Sequence, residues 1–142
     1  MYSKLLVILQ FTLIAAIVQY CSFPFYNPYL LPLGLLSGVI GFLAILTMKW
    51  DNLRVQPIPK QDAELITSGI YKFIRHPMYL SVLLLMLPFV ITTLDRLSLS
   101  LYFLLFATLI KKLQFEERLL LQKFPSYSDY MKQTYRLIPF IF

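Results

Sequence analysis

The sequence predicts an all-α integral membrane protein, a helical bundle of about four transmembrane helices with a cytoplasmic loop and a C-terminal helix at the membrane interface. The first observation behind this prediction is composition: 58% of the 142 residues are hydrophobic and 14% are charged. A soluble domain of this length has too little interior to bury so much apolar surface. The other two observations are long uncharged runs and positive charges that gather at the ends of those runs.

Uncharged runs mark the expected spans, because a helix that crosses about 30 Å of hydrocarbon needs roughly 17–25 residues. The last run is shorter, and it spans if Lys111 and Lys112 extend their charged ends toward the interface while the helix continues beyond them. A re-entrant hairpin over residues 77–110 is the alternative. The four runs are residues 5–22, 29–48, 77–94 and 97–110.

The positive charges predict the orientation in the membrane. With four crossings, all thirteen Lys and Arg residues except Arg96 fall on one side. The positive-inside rule makes that side the cytoplasm, so both termini are expected there. The net charge of +6 then reflects topology and attraction to anionic membrane lipids. Nucleic-acid binding is not expected, because the cations are spread along membrane-flanking segments.

A single membrane domain over residues 1–142 is expected, since no repeat or linker divides the chain. The first run is expected to be retained, because "VQYCS" lacks a signal-peptidase pattern, and the lone Cys21 predicts neither a disulfide nor a metal site. Pro125 should end the fourth helix, with Ser126 and Asp129 capping a short interfacial one. The expected segments are an N-terminal transmembrane hairpin (1–48), a cytoplasmic cofactor loop (49–76), a second helical hairpin (77–123) and an interfacial tail (124–142).

Two polar clusters flank the second hairpin, and a tight turn at Asp95–Arg96 should bring them together on the cytoplasmic side. An ionisable group near the hydrocarbon boundary is costly unless it is paired or binds a ligand. Ion pairs that merely fix the hairpin are one interpretation. The number of polar groups exceeds what such locking requires, which favours a functional site. The clusters are Tyr71, Arg75, His76 and Tyr79, and Lys112, Glu116 and Glu117.

The motifs "GIYKFIRHPMYLS" (69–81) and "EERLLLQKFPSYSDYMKQTYRLIP" (116–139) resemble the C-terminal half of the isoprenylcysteine carboxyl methyltransferase and phospholipid methyltransferase superfamily. The resemblance covers about residues 52–140. It implies an integral membrane enzyme that transfers a methyl group from S-adenosylmethionine to a lipidic or small hydrophobic acceptor at the cytoplasmic face. The cofactor-binding residues that the resemblance implies are Gln56, Leu65, Ile66, Tyr71, His76, Pro77, Met78, Tyr79 and Glu116.

Catalytic roles are expected for Lys112, Arg75 and Glu117. In the carboxyl-methylating branch that the sequence resembles, an arginine four residues before the first glutamate holds the substrate, and Lys112 stands at that place. Lysine keeps the charge but lacks the bidentate fork of arginine. A carboxylate acceptor needs a cation such as Lys112 or Arg75 to orient it. An amine or thiol must lose a proton, which Glu117 or His76 can take. The sequence leaves these acceptors open.

Two other functions are compatible with a membrane bundle of this kind. One is a reductase of the sterol-reductase type that uses NADPH. The intact R-H-P-M-Y and E-E motifs, together with the short chain, argue against it. The other is a non-catalytic membrane adaptor that keeps the scaffold without the activity.

Overall fold

The structure, a computed structural model, describes residues 2–48, 65–139 and 141, and these residues are helical with short connections. The predicted all-α class is therefore confirmed. Most of the predicted cofactor loop, residues 49–64, lies outside the described residues. The helices are α1 (Tyr2–Tyr20), α2 (Leu31–Met48), α3 (Pro77–Thr93), α4 (Arg96–Lys123) and α5 (Tyr127–Gln133), with 3₁₀ turns at Pro24–Tyr26 and Gly69–Lys72.

Three helices of the described chain, α1, α2 and α4, are long and apolar enough to cross a membrane. The sequence predicted a full-length span over residues 77–94 and a shorter span over residues 97–110. In the structure, the helix that contains residues 97–110 is the longer of the two. Helix α4 has 28 residues because it continues past Lys111 and Lys112 to Lys123, as predicted. Helix α3 has 17 residues because Leu94, with a φ of 41°, takes the left-handed conformation that ends it.

Helices α3 and α4 pack antiparallel, and each of them packs against one of the two N-terminal helices. Although α1 and α2 are consecutive, the main partner of α1 is α4 and that of α2 is α3. Apolar side chains from α1, α3 and α4 form the common core. Their close packing stabilises the bundle through many small van der Waals contacts. The core side chains include Leu13, Ile17, Leu83, Met86, Val90, Leu105, Leu109 and Leu113.

This packing places the starts of α1 and α3 at the same end of the bundle as the ends of α2 and α4. The Tyr2 and Phe115 rings are 5.5 Å apart, which joins the start of α1 to the last turns of α4. The side chain of Thr47, near the end of α2, lies against Gly69, just before α3. We call this the polar end, because it holds the charged residues of 71–79 and 112–117.

Hydrogen bonds close the opposite end of the bundle at the turn between α3 and α4. Asp95 caps α4: its Oδ1 accepts from the Ser98 amide at 2.7 Å, and its own amide donates to Ser98 Oγ at 3.1 Å. The Tyr20 hydroxyl, at the end of α1, donates to the Asp95 carboxylate. The amide of Ser22 donates to Thr93 Oγ1 at 3.0 Å. The tight turn predicted at Asp95–Arg96 is thus confirmed, and it also anchors α1.

The Asp95 contacts predict a pH dependence of stability. The hydrogen bond from Tyr20, followed by that from the Ser98 amide, holds the pKa of Asp95 below its usual range. A carboxyl group with a lowered folded-state pKa stabilises the protein above its unfolded pKa, about 4, and loses this contribution as pH falls through the folded value. We expect Tyr20→Phe to lower the melting temperature at pH 7 and to have a smaller effect at pH 3. An equal effect at both pH values would contradict this coupling.

A short helix, α5, forms where one was predicted, after Pro125, but its predicted cap is wrong. Ser126 has φ −71° and ψ −10°, so it is already helical and its side chain makes no capping bond. A capping side chain normally requires an extended residue at that position. Asp129 instead accepts from Lys132 Nζ at 2.8 Å. Helix α5 is held to the bundle by Tyr127, which is 1% exposed.

Candidate functional site

The predicted meeting of the two polar clusters is confirmed at the polar end. Arg75 Nε donates to Glu117 Oε1 at 2.9 Å, and the Tyr79 hydroxyl donates to Glu116 Oε2 at 2.8 Å. The His76 ring lies between the two acids, with Nε2 3.4 Å from Glu117 Oε1 and Nδ1 3.7 Å from Glu116 Oε2. The start of α3 therefore faces the end of α4 through direct polar contacts.

Glu117 is the buried centre of this cluster. Its side chain is 4% exposed, and its two oxygens accept from different guanidinium groups, Arg75 at 2.9 Å and Arg136 at 3.1 Å. A buried carboxylate is tolerated when cationic and hydrogen-bonding partners of this kind surround it. The arrangement ties α4 to the start of α3 and to the C-terminal tail.

Arg75 binds the tail as well as Glu117. Its Nη1 donates to the Met131 carbonyl at 3.0 Å and to both the carbonyl and the hydroxyl of Thr134. The backbones also pair, since the Arg75 amide donates to the Tyr135 carbonyl at 2.8 Å and the Tyr135 amide donates to the Phe73 carbonyl at 3.0 Å. The Arg75 guanidinium thus fixes the tail against the segment that leads into α3.

His76, Tyr79 and Glu116 form a second group that is more open. The His76 and Tyr79 rings stack with centroids 5.4 Å apart and an interplanar angle of 4°. His76 stands at the N-cap position of α3, but its side chain makes no capping bond. The Glu116 side chain is 27% exposed, in contrast to the buried Glu117. The two neighbouring acids therefore occupy different environments, one enclosed by cations and one accessible beside aromatic rings.

Tyr71 contributes a buried hydroxyl that has no hydrogen-bond partner within the described part of the chain. Its residue is 5% exposed, and burial raises its pKa, so the hydroxyl stays a proton donor. The Tyr71 carbonyl accepts from the Tyr130 hydroxyl at 2.5 Å, and burial raises the pKa of Tyr130 to about 12. Buried donors normally have partners, so a partner outside the described residues is expected for the Tyr71 hydroxyl.

The remaining predicted cofactor residues lie on the segments that lead into this group. Pro77 is buried at the first position of α3, and Met78 follows it, half-buried. Leu65 and Ile66 are half-buried in the irregular segment before the Gly69–Lys72 turn. Gln56 lies outside the described residues.

Lys112 is buried one turn before Glu116 on α4, with 2% of its surface exposed. Its Nζ donates to Gln10 Oε1 on α1 at 2.7 Å and lies 5.2 Å from the centroid of the Tyr79 ring. The sequence did not predict Gln10, Arg136 or Thr134 as site residues. Gln10 could have been found as a polar residue on the same face of α1 as Leu6, Leu13 and Ile17.

Fold and site together define an integral membrane protein with a cluster of ionisable residues at one end of its helices. The chain belongs to the isoprenylcysteine carboxyl methyltransferase family, whose model matches residues 30–122. The matched region contains α2, α3 and nearly all of α4, whereas α1 and the tail lie outside it. A comparison with curated proteins gives no match. Membership implies a membrane methyltransferase in broad terms and does not favour the reductase or adaptor alternatives.

Proposed function

We propose that this chain transfers a methyl group from S-adenosylmethionine to a lipidic acceptor, at a site formed by the start of α3 and the end of α4. The observation that carries the proposal is the 2.8 Å bond between Tyr79 and Glu116 beside the stacked His76 ring. It places an accessible carboxylate, an imidazole and an aromatic face together, next to the buried hydroxyl of Tyr71. The family match supports methyl transfer as the reaction.

The chemistry of these residues fits the parts of S-adenosylmethionine. The Glu116 carboxylate can accept from an ammonium group or from ribose hydroxyls, and the Tyr71 hydroxyl and the His76 ring can donate to a carboxylate. The faces of Tyr79 and Tyr71 suit a cationic sulfonium or an adenine ring. When bound, the cofactor supplies an electrophilic methyl group. The other predicted cofactor residues, Gln56, Leu65, Ile66, Pro77 and Met78, remain part of the proposed site.

The acceptor side of the proposed site contains Lys112. Its buried ammonium can orient a carboxylate acceptor, whereas an amine or thiol acceptor has to give up a proton, for which His76 is the better placed base. Glu117 is held between two guanidinium groups, so we propose that Arg75 and Glu117 position the site rather than touch the acceptor. Burial at the membrane boundary excludes water, and correct placement of the reacting groups then carries much of the catalysis.

The positive-inside distribution of Lys and Arg favours a cytoplasmic location for the polar end and both termini. In this orientation the water-soluble cofactor reaches the site from the cytoplasm, while a membrane-dissolved acceptor enters from the lipid. Four crossings require that the 17-residue helix α3 also spans, which a locally thinned bilayer permits.

Methyl-labelled S-adenosylmethionine tests the proposed activity directly. The purified protein is incubated with the labelled cofactor and a total lipid extract, and labelled products are separated and identified. We expect label in a lipid-soluble product, and its identity distinguishes carboxylate, amine and thiol acceptors. Absence of methyl transfer, together with tritium transfer from labelled NADPH, would contradict the proposal in favour of a reductase.

Tyr71→Phe should separate cofactor binding from folding. The variant removes a buried hydroxyl that has no partner among the described residues, so the melting temperature without cofactor should not fall. The affinity for S-adenosylmethionine should drop about fivefold, the value of one neutral hydrogen bond.

Tyr130→Phe is the matched control for Tyr71→Phe. It breaks the 2.5 Å bond to the Tyr71 carbonyl, so it should lower stability by about 1 kcal/mol. If Tyr71→Phe destabilises the free protein and leaves cofactor affinity unchanged, the Tyr71 hydroxyl has a structural role and the assignment is wrong.

A further inference from the structure

The connection between α1 and α2 exposes large aromatic side chains. We call residues 23–29, with the sequence "FPFYNPY", the aromatic connection. Within it, Phe23 is 56% exposed, Tyr26 88% and Tyr29 89%. Residues 5–48 contain no Asp, Glu, Lys or Arg, so the exposed rings have no charged neighbours in the chain. Exposed apolar surface of this kind marks a site of interaction with protein or membrane.

The backbone of the aromatic connection is held by hydrogen bonds, so its rings are presented in one arrangement. The Asn27 amide donates to the Pro24 carbonyl at 3.1 Å, and Asn27 Oδ1 accepts from the Tyr29 amide at 3.0 Å. The Phe23 and Tyr26 rings meet edge to face, with centroids 5.3 Å apart. This packing keeps both rings on the outside of the turn.

A second ring attaches the aromatic connection to the bundle. Phe25 lies 5.4 Å from the Phe23 ring and 5.9 Å from the ring of Phe89, a buried residue of α3. The Phe25 ring also lies over Gly34 in the first turn of α2, where any larger side chain would collide with it. The exposed rings are therefore fixed to both α2 and α3.

The position of the aromatic connection along the bundle corresponds to a membrane surface. Helices α1 and α2 are both long and apolar enough to cross a membrane, so their connection lies at one of its faces. The 19 residues of α1 extend about 28 Å, close to the thickness of the hydrocarbon core. The Ser22 amide donates to Thr93, which places the connection beside the charged residues Asp95 and Arg96.

We propose that the aromatic connection is an anchor that binds phospholipids in the headgroup region, at the membrane face opposite the polar end. Aromatic rings bury apolar surface in this region while the tyrosine hydroxyl groups reach water or the lipid ester groups. Because the rings are fixed to α3, the anchor also holds that helix at a set depth. The 17 residues of α3 then place the polar end about 25 Å from the anchor. This placement does not depend on the methyl transfer proposed above.

Tryptophan reporters test the anchor in phosphatidylcholine vesicles. Trp50 is the one tryptophan of the chain, so Trp50→Phe removes the native fluorescence. Tyr26→Trp, Tyr29→Trp and the control Phe42→Trp are then made one at a time in this background. Phe42 is also exposed and aromatic, but it lies about 16 Å along α2 from its start at Leu31. Quenching is compared between lipids brominated next to the headgroup and lipids brominated near the chain terminus.

We expect the Tyr26→Trp and Tyr29→Trp reporters to be quenched more by bromine next to the headgroup, and the Phe42→Trp reporter to show the reverse order. Quenching of Tyr26→Trp and Tyr29→Trp by aqueous iodide alone would place the connection in water. Protection from both quenchers would mean that a second copy of the chain covers it. Each of these two results would overturn the proposal, and quenching of Phe42→Trp confirms that the protein is inserted.

The effect of the anchor on depth is measured at the polar end. Phe73 is exposed just before α3, so Phe73→Trp reports the depth of that end. Combining it with Tyr26→Ser and Tyr29→Ser should change the ratio of shallow to deep quenching. The melting temperature in detergent should stay the same, because both tyrosines are exposed. An unchanged quenching ratio would show that the aromatic connection does not hold the bundle in place.

Discussion

Replacing Glu117 by glutamine is expected to destabilise the protein more than any other single change at the polar end. The side chain is 4% exposed, and its two oxygens accept from Arg75 and Arg136. A glutamine of the same shape removes the negative charge that both guanidinium groups face and turns an amide N–H toward one of them. Removing one member of a buried ion pair typically costs about 3 kcal/mol or more.

In a detergent-solubilised preparation this loss should lower the melting temperature by on the order of 10 °C. Asp129→Asn is the matched control, because it makes the same carboxylate-to-amide change in an ion pair whose side chains are 72% and 75% exposed. Exposed pairs contribute little, so the control should melt like the wild type. If Glu117→Gln melts within the error of the wild type, Glu117 is not the centre that joins α3, α4 and the tail.

Replacing Glu116 by glutamine is expected to have the largest effect on cofactor binding. Glu116 is the accessible acid of the pair, 27% exposed and bonded to Tyr79 at 2.8 Å. Neutralising it removes a charge-assisted hydrogen bond to a cationic or hydroxyl group of S-adenosylmethionine, so affinity should fall at least tenfold. Its partial exposure predicts little change in melting temperature.

Equilibrium binding of labelled S-adenosylmethionine measures this effect. Tyr79→Phe serves as the companion variant, because it removes the hydroxyl that orients Glu116 while leaving the carboxylate in place. We expect it to weaken binding less than Glu116→Gln does. If Glu116→Gln binds like the wild type, Glu116 does not contact the cofactor, and the accessible half of the site has another role.

The sequence predicted those helices and turns that are determined by residues adjacent in the chain. Continuous uncharged runs predicted the apolar helices, Pro125 predicted the end of α4 and the start of α5, and the Asp95–Arg96 dipeptide predicted the tight turn. That turn makes α3 and α4 antiparallel, so it also predicted that His76 and Glu116 would be neighbours. The proximity of His76 and Glu116 in the candidate site could therefore be inferred from the sequence alone.

The features that the sequence did not predict depend on how separate helices pack. The apolar sequences of α1 and α2 do not specify their partners, so the contact of Gln10 with Lys112 could not be inferred. Arg136 lies in the tail, and its bond to Glu117 depends on the backbone pairing of that tail with residues 73–76. The length of α3 also depended on a single residue, Leu94, whose left-handed backbone conformation ends the helix.

The most direct test of the central claim, that the start of α3 and the end of α4 form one S-adenosylmethionine site, is equilibrium binding of the labelled cofactor to the wild-type protein in lipid nanodiscs. Saturable binding that S-adenosylhomocysteine displaces and NADPH does not is the predicted result. Absence of saturable binding, or displacement by NADPH, would contradict it.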